Sequence, residues 1–289
     1  MEHPLYQRPT RRDRRKDPWS WQLGRVLGIP TRIHASFALV LVWIGISTWR
    51  TAHSGLAVAF GVGFALTVFA CVLLHEFGHA LVARRFGIET TRITLLPVGG
   101  LAQLERAPET PRAELWIALA GPAVNLGIAA VLAAVGFGTG LLTLTAAGLG
   151  TGGGGILAIV LSGLLYANLM LGLFNLLPAF PMDGGRVFRA WAQTRYGRLE
   201  ATRKAATLGR VLALGFGVWG IWASNPVLVL VAVFVYFAAR RERQMVELQF
   251  AAEASRNQAS GNQVFEGRAF EGEVLEGRVV QVQERDTRR

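Results

Sequence analysis

The apolar residues of this chain fall into blocks, not into a stripe of helical or strand period. Six blocks stand out, at 33–48, 55–83, 113–138, 156–177, 205–224 and 226–239. Crossing ~30 Å of hydrocarbon takes about 20 apolar residues in a helix. The second, third and fourth blocks meet that length, the first is slightly short, and the last two are short. A helix that is apolar all round must be buried in protein or in lipid, and composition chooses between the two. Of 289 residues, 52% are hydrophobic and 17% charged, against about 25% charged in an average soluble domain. That is too little charged surface to keep a core of this size dissolved. High hydrophobicity also excludes intrinsic disorder, and a single cysteine excludes a disulfide framework or a cysteine-based zinc ribbon. The chain reads as an all-α polytopic membrane protein of about six transmembrane helices.

The formal charge of +11 orients those helices. Arg8, Arg11, Arg12, Arg14, Arg15, Lys16, Arg25 and Arg32 precede the first block. Arg84, Arg85, Arg92, Arg106 and Arg112 follow the second, and Arg186, Arg189, Arg195, Arg198, Arg203 and Lys204 follow the fourth. The alternate loops carry only Arg50. Basic residues collect on the cytoplasmic side of short loops, so both termini are expected in the cytoplasm, most simply of a prokaryotic cell. With the basic residues at span ends, the charge does not call for a nucleic-acid partner; the partner it calls for is the lipid bilayer. Residues 1–32 read as a basic cytoplasmic segment and not as a cleaved signal, since Asp13 and Asp17 interrupt it and no cleavage pattern follows. Residues 33–239 form the membrane domain, and 138–155 a Gly/Thr/Leu connection outside the membrane. Residues 240–289 form a polar cytoplasmic tail with nine basic and nine acidic residues. Its five-residue repeat, at Phe265, Phe270 and Leu275, reads as low complexity with weak β tendency.

An ionisable residue deep in a span is a functional hypothesis by default, because burying it is costly. The second block holds three, in Leu74-His-Glu-Phe-Gly-His-Ala80. Residues four apart on a helix share a face, so His75 and His79 aim at one point. Neutral imidazoles at this spacing suit Zn²⁺, with the intervening Glu76 free to act as a base. At ~1.5 Å per residue, the pair lies about 7 and 13 Å inside Arg84. A hydrolytic zinc site wants a third protein ligand. The best remaining acid is Asp183 in Asn175-Leu-Leu-Pro-Ala-Phe-Pro-Met-Asp-Gly-Gly185, where prolines and glycines break the end of the fourth span. Irregular backbone at that depth is tolerated where protein covers it or it lines a wet cavity.

These residues resemble the site-2 protease family of intramembrane zinc metalloproteases. The likeness rests on the H-E-x-x-H helix, the N-x-x-P-x-x-P-x-D-G segment and Gly121-Pro-Ala-Val-Asn125. Gly99 and Gly100 before the third span and His34 at the first add to it. It implies one zinc ion per chain on His75, His79 and Asp183, with Glu76 as catalytic base. It further implies a three-helix catalytic core at about 55–186 and cleavage of a single-span transmembrane protein substrate. Family variants with a PDZ insertion or a CBS pair do not fit, because the loop 87–112 is short and the tail small.

Supporting residues have two readings each. Asn125 either donates to an oxyanion or joins two helices, and His34 either approaches the site or caps a helix start. Cys71 reads as packing. The Thr/Ile/Val-rich stretch 88–100 reads as a short β-hairpin at the membrane, with an edge open to unwound substrate. Five histidines are too few for a di-iron oxidase, and no histidine follows His79 to serve an intramembrane serine protease. A membrane zinc transporter is the alternative, although the outer halves of the spans offer few ligating side chains.

Overall fold

The computed structural model describes residues 19–274, apart from Val98, Ala146, Ala147 and Gly153. Six helices and six strands follow one another: β1 (Ser20–Val26), β2 (Ile29–His34), α1 (Ser36–Ala52), α2 (Gly55–Arg85), β3 (Thr90–Leu96), β4 (Gly99–Leu104), α3 (Pro111–Gly138), β5 (Leu142–Thr145), β6 (Gly148–Thr151), α4 (Gly155–Asn175), α5 (Asp183–Trp222) and α6 (Pro226–Val274).

Helices α2, α3, α4 and α5 are long and apolar enough to cross a membrane. Local chemistry sets where they begin. The Ser54 side chain accepts from the Ala57 amide to start α2, and Thr110 does the same for Ala113 ahead of a proline in the first turn of α3. Each cap satisfies one of the four orphan N–H groups of a helix start. The last turn of α2 carries Arg84 and Arg85, cations at the negative end of the dipole. Helix α1 is apolar but only 17 residues long, and α6 is apolar only at its start.

Small residues let the helices approach. A Cβ on Gly78 of α2 would lie 2.7 Å from the Ala120 carbonyl oxygen of α3, the close backbone contact that small residues permit in membranes. Between α3 and α4, Leu142 packs with Ala129, Leu161 and Leu165. The segment 138–155, expected as a Gly/Thr/Leu connection outside the membrane, contains the antiparallel hairpin β5–β6, held down by that leucine.

The β-hairpin expected at 88–100 is half of a larger sheet. Strands run in the order β1-β2-β3-β4, with β2 parallel to β3 and antiparallel pairing on either side. The segment 1–32 is therefore not a plain basic arm throughout, since β1 and most of β2 come from it. A tight turn at Leu27 and Gly28, both with positive φ, folds that hairpin as primed two-residue turns do. The Ala35 amide bonds back to the Trp19 carbonyl, and α1 begins only at Ser36. Ile33 and His34 thus belong to β2 and not to the first apolar helix. The buried Ile93 of β3 packs on Phe77 and Ala80 of α2, with Ala102 of β4 beside them. This seats the sheet on the turn of α2 that carries the histidines.

Two more expectations change. The basic stretch after residue 183 is helical and continuous with the fifth apolar block, interrupted only at Gly197 (φ +76°), a conformation that favours glycine. The tail continues α6 as helix through Val274, so the first two copies of the repeat are helical, not β-like. The third, from Leu275, lies outside the described residues. Arg243 and Glu247, one turn apart on α6, form an ion pair, and Glu247 also pairs with Arg203 of α5. Ser224, Asn225 and Pro226 make the tight turn between α5 and α6, and the Asn225 side chain caps α6 at Leu228.

Candidate metal centre

The structure brings His75, His79 and Asp183 to one point. The two imidazole Nε2 atoms lie 3.1 Å apart, and each is 3.1 Å from Asp183 Oδ2. All three residues are buried, and they form a group able to hold a metal ion.

The histidines arrive by helical periodicity, but their ring orientation is set elsewhere. His79 Nδ1 lies 2.6 Å from the Ile117 carbonyl oxygen of α3. A carbonyl only accepts, so Nδ1 donates and Nε2 is left with its lone pair. His75 Nδ1 lies 2.6 Å from Asn125 Oδ1, also on α3. Position 121 must be glycine for the rings to fit, because a Cβ there would overlap His79 Nε2 and lie 2.6 Å from His75 Nε2.

Asp183 arrives by a different route. Helix α4 stops at Asn175, and the chain turns through Leu176–Met182 before α5 begins at Asp183. Ala179, Phe180 and Met182 in that turn are buried, so protein covers that part of the irregular backbone, while Pro178 and Pro181 stand exposed beside it. Phe180 packs on Ala205, Ala206 and Ala239, under the Arg189 guanidinium 5.0 Å from its ring. Gly184 and Gly185 let the first turn of α5 lie directly on this backbone. A Cβ at Gly184 would overlap the Leu176 and Leu177 carbonyl oxygens, and one at Gly185 would lie 2.6 Å from the Phe180 nitrogen. The close approach turns the Asp183 carboxylate toward the histidines.

The donor set fits zinc. A tetrahedral ion with bonds of ~2.0–2.1 Å holds its donors about 3.3 Å apart, close to the separations found. Two imidazole lone pairs facing each other and a carboxylate oxygen call for a cation among them.

Glu76 sits beside this group. Its Oε2 accepts from the Ala102 amide of β4 at 3.1 Å. Gly100 borders the same carboxylate, for a Cβ there would lie 2.7 Å from Glu76 Cδ. Neighbouring Gly99 has φ +139°, open to glycine alone. Of the other sequence candidates, His34 is bonded through Nδ1 to Ser36. Asn125 is fully buried and joins helices, donating from Nδ2 to Asn168 Oδ1.

Sequence reasoning passed over Asn168, the Ala102 amide, and the buried pair of Glu114 on α3 with Arg189 on α5. For Asn168 the signal was present: an amide in the middle of an apolar span is costly unless partnered.

Residues 63–160 and 153–216 match the model of peptidase family M50. A zinc metalloprotease of Methanocaldococcus jannaschii is 39% identical over 80% of this chain and 62% of its own length. A putative zinc metalloprotease of Mycobacterium tuberculosis is 37% identical over 78% of this chain and 59% of its own. The chain thus spans about three fifths of the curated relatives it matches. The solved site-2 protease of M. jannaschii superposes with a TM-score of 0.57 at 36% identity, covering 78% of this chain and 95% of that one. With the family model matching more than half of its length, the chain belongs to peptidase family M50, the family of the site-2 proteases.

Proposed function

We propose that this chain is an intramembrane zinc metalloendopeptidase. Its substrate is a single-span membrane protein, cut within or near the cytoplasmic end of its transmembrane helix. The observation that carries the reading is the convergence of His75, His79 and Asp183 at 3.1 Å with a carboxylate, Glu76, next to the first histidine.

His75, His79 and Asp183 hold one zinc ion per chain. Bound there, zinc supplies a Lewis acid for a carbonyl and lowers the pKa of water. Glu76 takes the proton of the attacking water on its carboxylate and returns it to the leaving amine nitrogen. The Ala102 amide holds one oxygen of that carboxylate, Oε2, and leaves the proton to Oε1, which borders Gly100. Gly99 and Gly100 keep the approach from β4 free of side chains. Strand β4 is the edge of its sheet, so an extended substrate segment can pair with it and lie alongside Glu76. Such a segment has already left its helix, which a protected peptide bond must do before it can be cut.

The side of cleavage follows from charge. Arg84 and Arg85 end α2 just beyond His79, and Arg186 and Arg189 follow Asp183 on α5. By the positive-inside rule this end of the bundle faces the cytoplasm, and both termini lie there, in a prokaryotic cell membrane. Incubating the reconstituted protein with single-span substrates and mapping the products by mass spectrometry tests this directly. Cuts clustered in the cytoplasmic half of the span support it, and cuts in the outer half contradict it.

A further inference from the structure

We propose that Asn168 is a positioning residue for the metal centre. Acting through Asn125, it sets which ring nitrogen of His75 carries the proton, and hence which one is left to bind a cation. The inference rests on the metal centre proposed above and extends it to α4, a helix that supplies none of the three ligating side chains.

The relay is anchored on a group that cannot change. The Leu164 carbonyl has only lone pairs, and the Asn168 atom 2.9 Å from it is Nδ2. With Nδ2 committed there, Asn168 turns Oδ1 toward Asn125 at 2.9 Å. An oxygen can only accept, so Asn125 must present Nδ2 to it. Asn125 Oδ1 is thereby turned to His75 at 2.6 Å, and His75 Nδ1 must carry the hydrogen. Its Nε2 is left bare, facing Asp183 and His79.

The second N–H of Asn168 is also used. It reaches Cys71 Sγ at 3.4 Å, one helical turn before His75 on α2. The circuit therefore leaves α2 at Cys71, crosses α4 and α3, and re-enters α2 at His75. Asn125 and Asn168 are both 0% exposed, so neither amide reaches bulk water, and reversing one would set like atoms against each other at its neighbours. The two histidines are thus fixed by different means. His79 is set by the backbone at Ile117, beyond the reach of side-chain substitution, whereas His75 depends on two side chains.

The test compares zinc affinity, by chelator competition, and the absorption spectrum of the cobalt-substituted protein in wild type, Asn168→Leu and Asn168→Asp. Leucine approximates the shape of asparagine but neither donates nor accepts, which frees Asn125 to turn. A protonated aspartic acid can donate to Leu164 and accept from Asn125, and so preserves the order of the relay. Asn168→Leu is expected to bind zinc about 10- to 100-fold more weakly with an altered cobalt spectrum, while Asn168→Asp stays closer to wild type. A residue that only packs would lower the melting temperature of Asn168→Leu and leave affinity and spectrum unchanged, and that result overturns the proposal. Histidine nitrogen NMR of the zinc-loaded wild type gives a second reading that needs no variant: a proton on His75 Nδ1 supports the relay, and one on Nε2 overturns it. A wild type that binds no zinc would sink the metal centre and the relay together. Tight zinc binding unaffected by Asn168→Leu would sink the relay alone.

Discussion

The Ala102 amide nitrogen lies 3.1 Å from Glu76 Oε2. A strand that belongs to a sheet seated on the helix bundle thereby holds the one carboxylate that the proposed chemistry needs free of the metal. The contact ties the geometry of β4 to the geometry of the base, and its neighbour Gly100 makes the tie testable.

Gly100→Ala places a methyl group 2.7 Å from Glu76 Cδ and 2.8 Å from Oε1. The carboxylate must shift, and misplacing a catalytic group by about 1 Å costs on the order of 10²-fold in rate. The expected outcome is a loss of kcat of that order with zinc content unchanged, read from turnover and elemental analysis of the same preparation.

Gly121→Ala acts on the metal instead. The added carbon meets the Nε2 atoms of both histidines, so zinc affinity should fall by at least about tenfold, the lower end of what disturbing ligand support costs. Elemental analysis after dialysis against a weak chelator separates this variant from Gly100→Ala, which should keep its metal.

Glu114 and Arg189 form a buried ion pair between α3 and α5, with Glu242 of α6 joining at 3.2 Å. Breaking a buried pair from one side costs about 3–5 kcal/mol. Glu114→Ala should therefore lower the melting temperature markedly. Removing the charge from both sides, as Glu114→Leu with Arg189→Met, should recover most of the loss.

Outside the membrane, Glu247 is held below the usual glutamate range by hydrogen bonds from Arg243 and Arg203. A depressed carboxylate stabilises the folded state above its unfolded value, 4.5, and that contribution disappears as pH falls through the lower folded value. Hydrogen exchange along α6 near Glu247, corrected for intrinsic pH dependence, should stay constant above about pH 5 and quicken only in more acidic buffer. Glu247→Gln should remove the pH step.

The chemistry-bearing residues were more legible in the sequence than the architecture around them. His75, Glu76 and His79 declare themselves because helical spacing alone puts both imidazoles on one face. Asp183 could be read because prolines and glycines broke the apolar pattern just where an acid stood. The sheet could not, since β2 and β3 pair in parallel across about 60 residues of intervening chain, as in Thr31 with Ile93, and nothing local records such a pairing. Basic residues masked the strands at 20–34, and nothing in the Gly/Thr/Leu stretch 138–155 announces a hairpin whose Leu142 packs on Ala129 of α3 and on Leu161 and Leu165 of α4. An amide such as Asn168 inside an apolar span signals that a partner exists, but which partners it takes, Asn125 on α3 and Cys71 on α2, is recorded nowhere in the local sequence.

In the proposed mechanism, His75, His79 and Asp183 hold the metal while Glu76 moves the proton. The most direct measurement is zinc content together with cleavage of a single-span substrate in wild type, Glu76→Gln and Asp183→Ala, purified side by side. The expected result is one zinc per chain and cleavage in the wild type, a full complement of zinc without cleavage in Glu76→Gln, and loss of zinc in Asp183→Ala. Cleavage by Glu76→Gln at the wild-type rate, or undiminished zinc in Asp183→Ala, would contradict it.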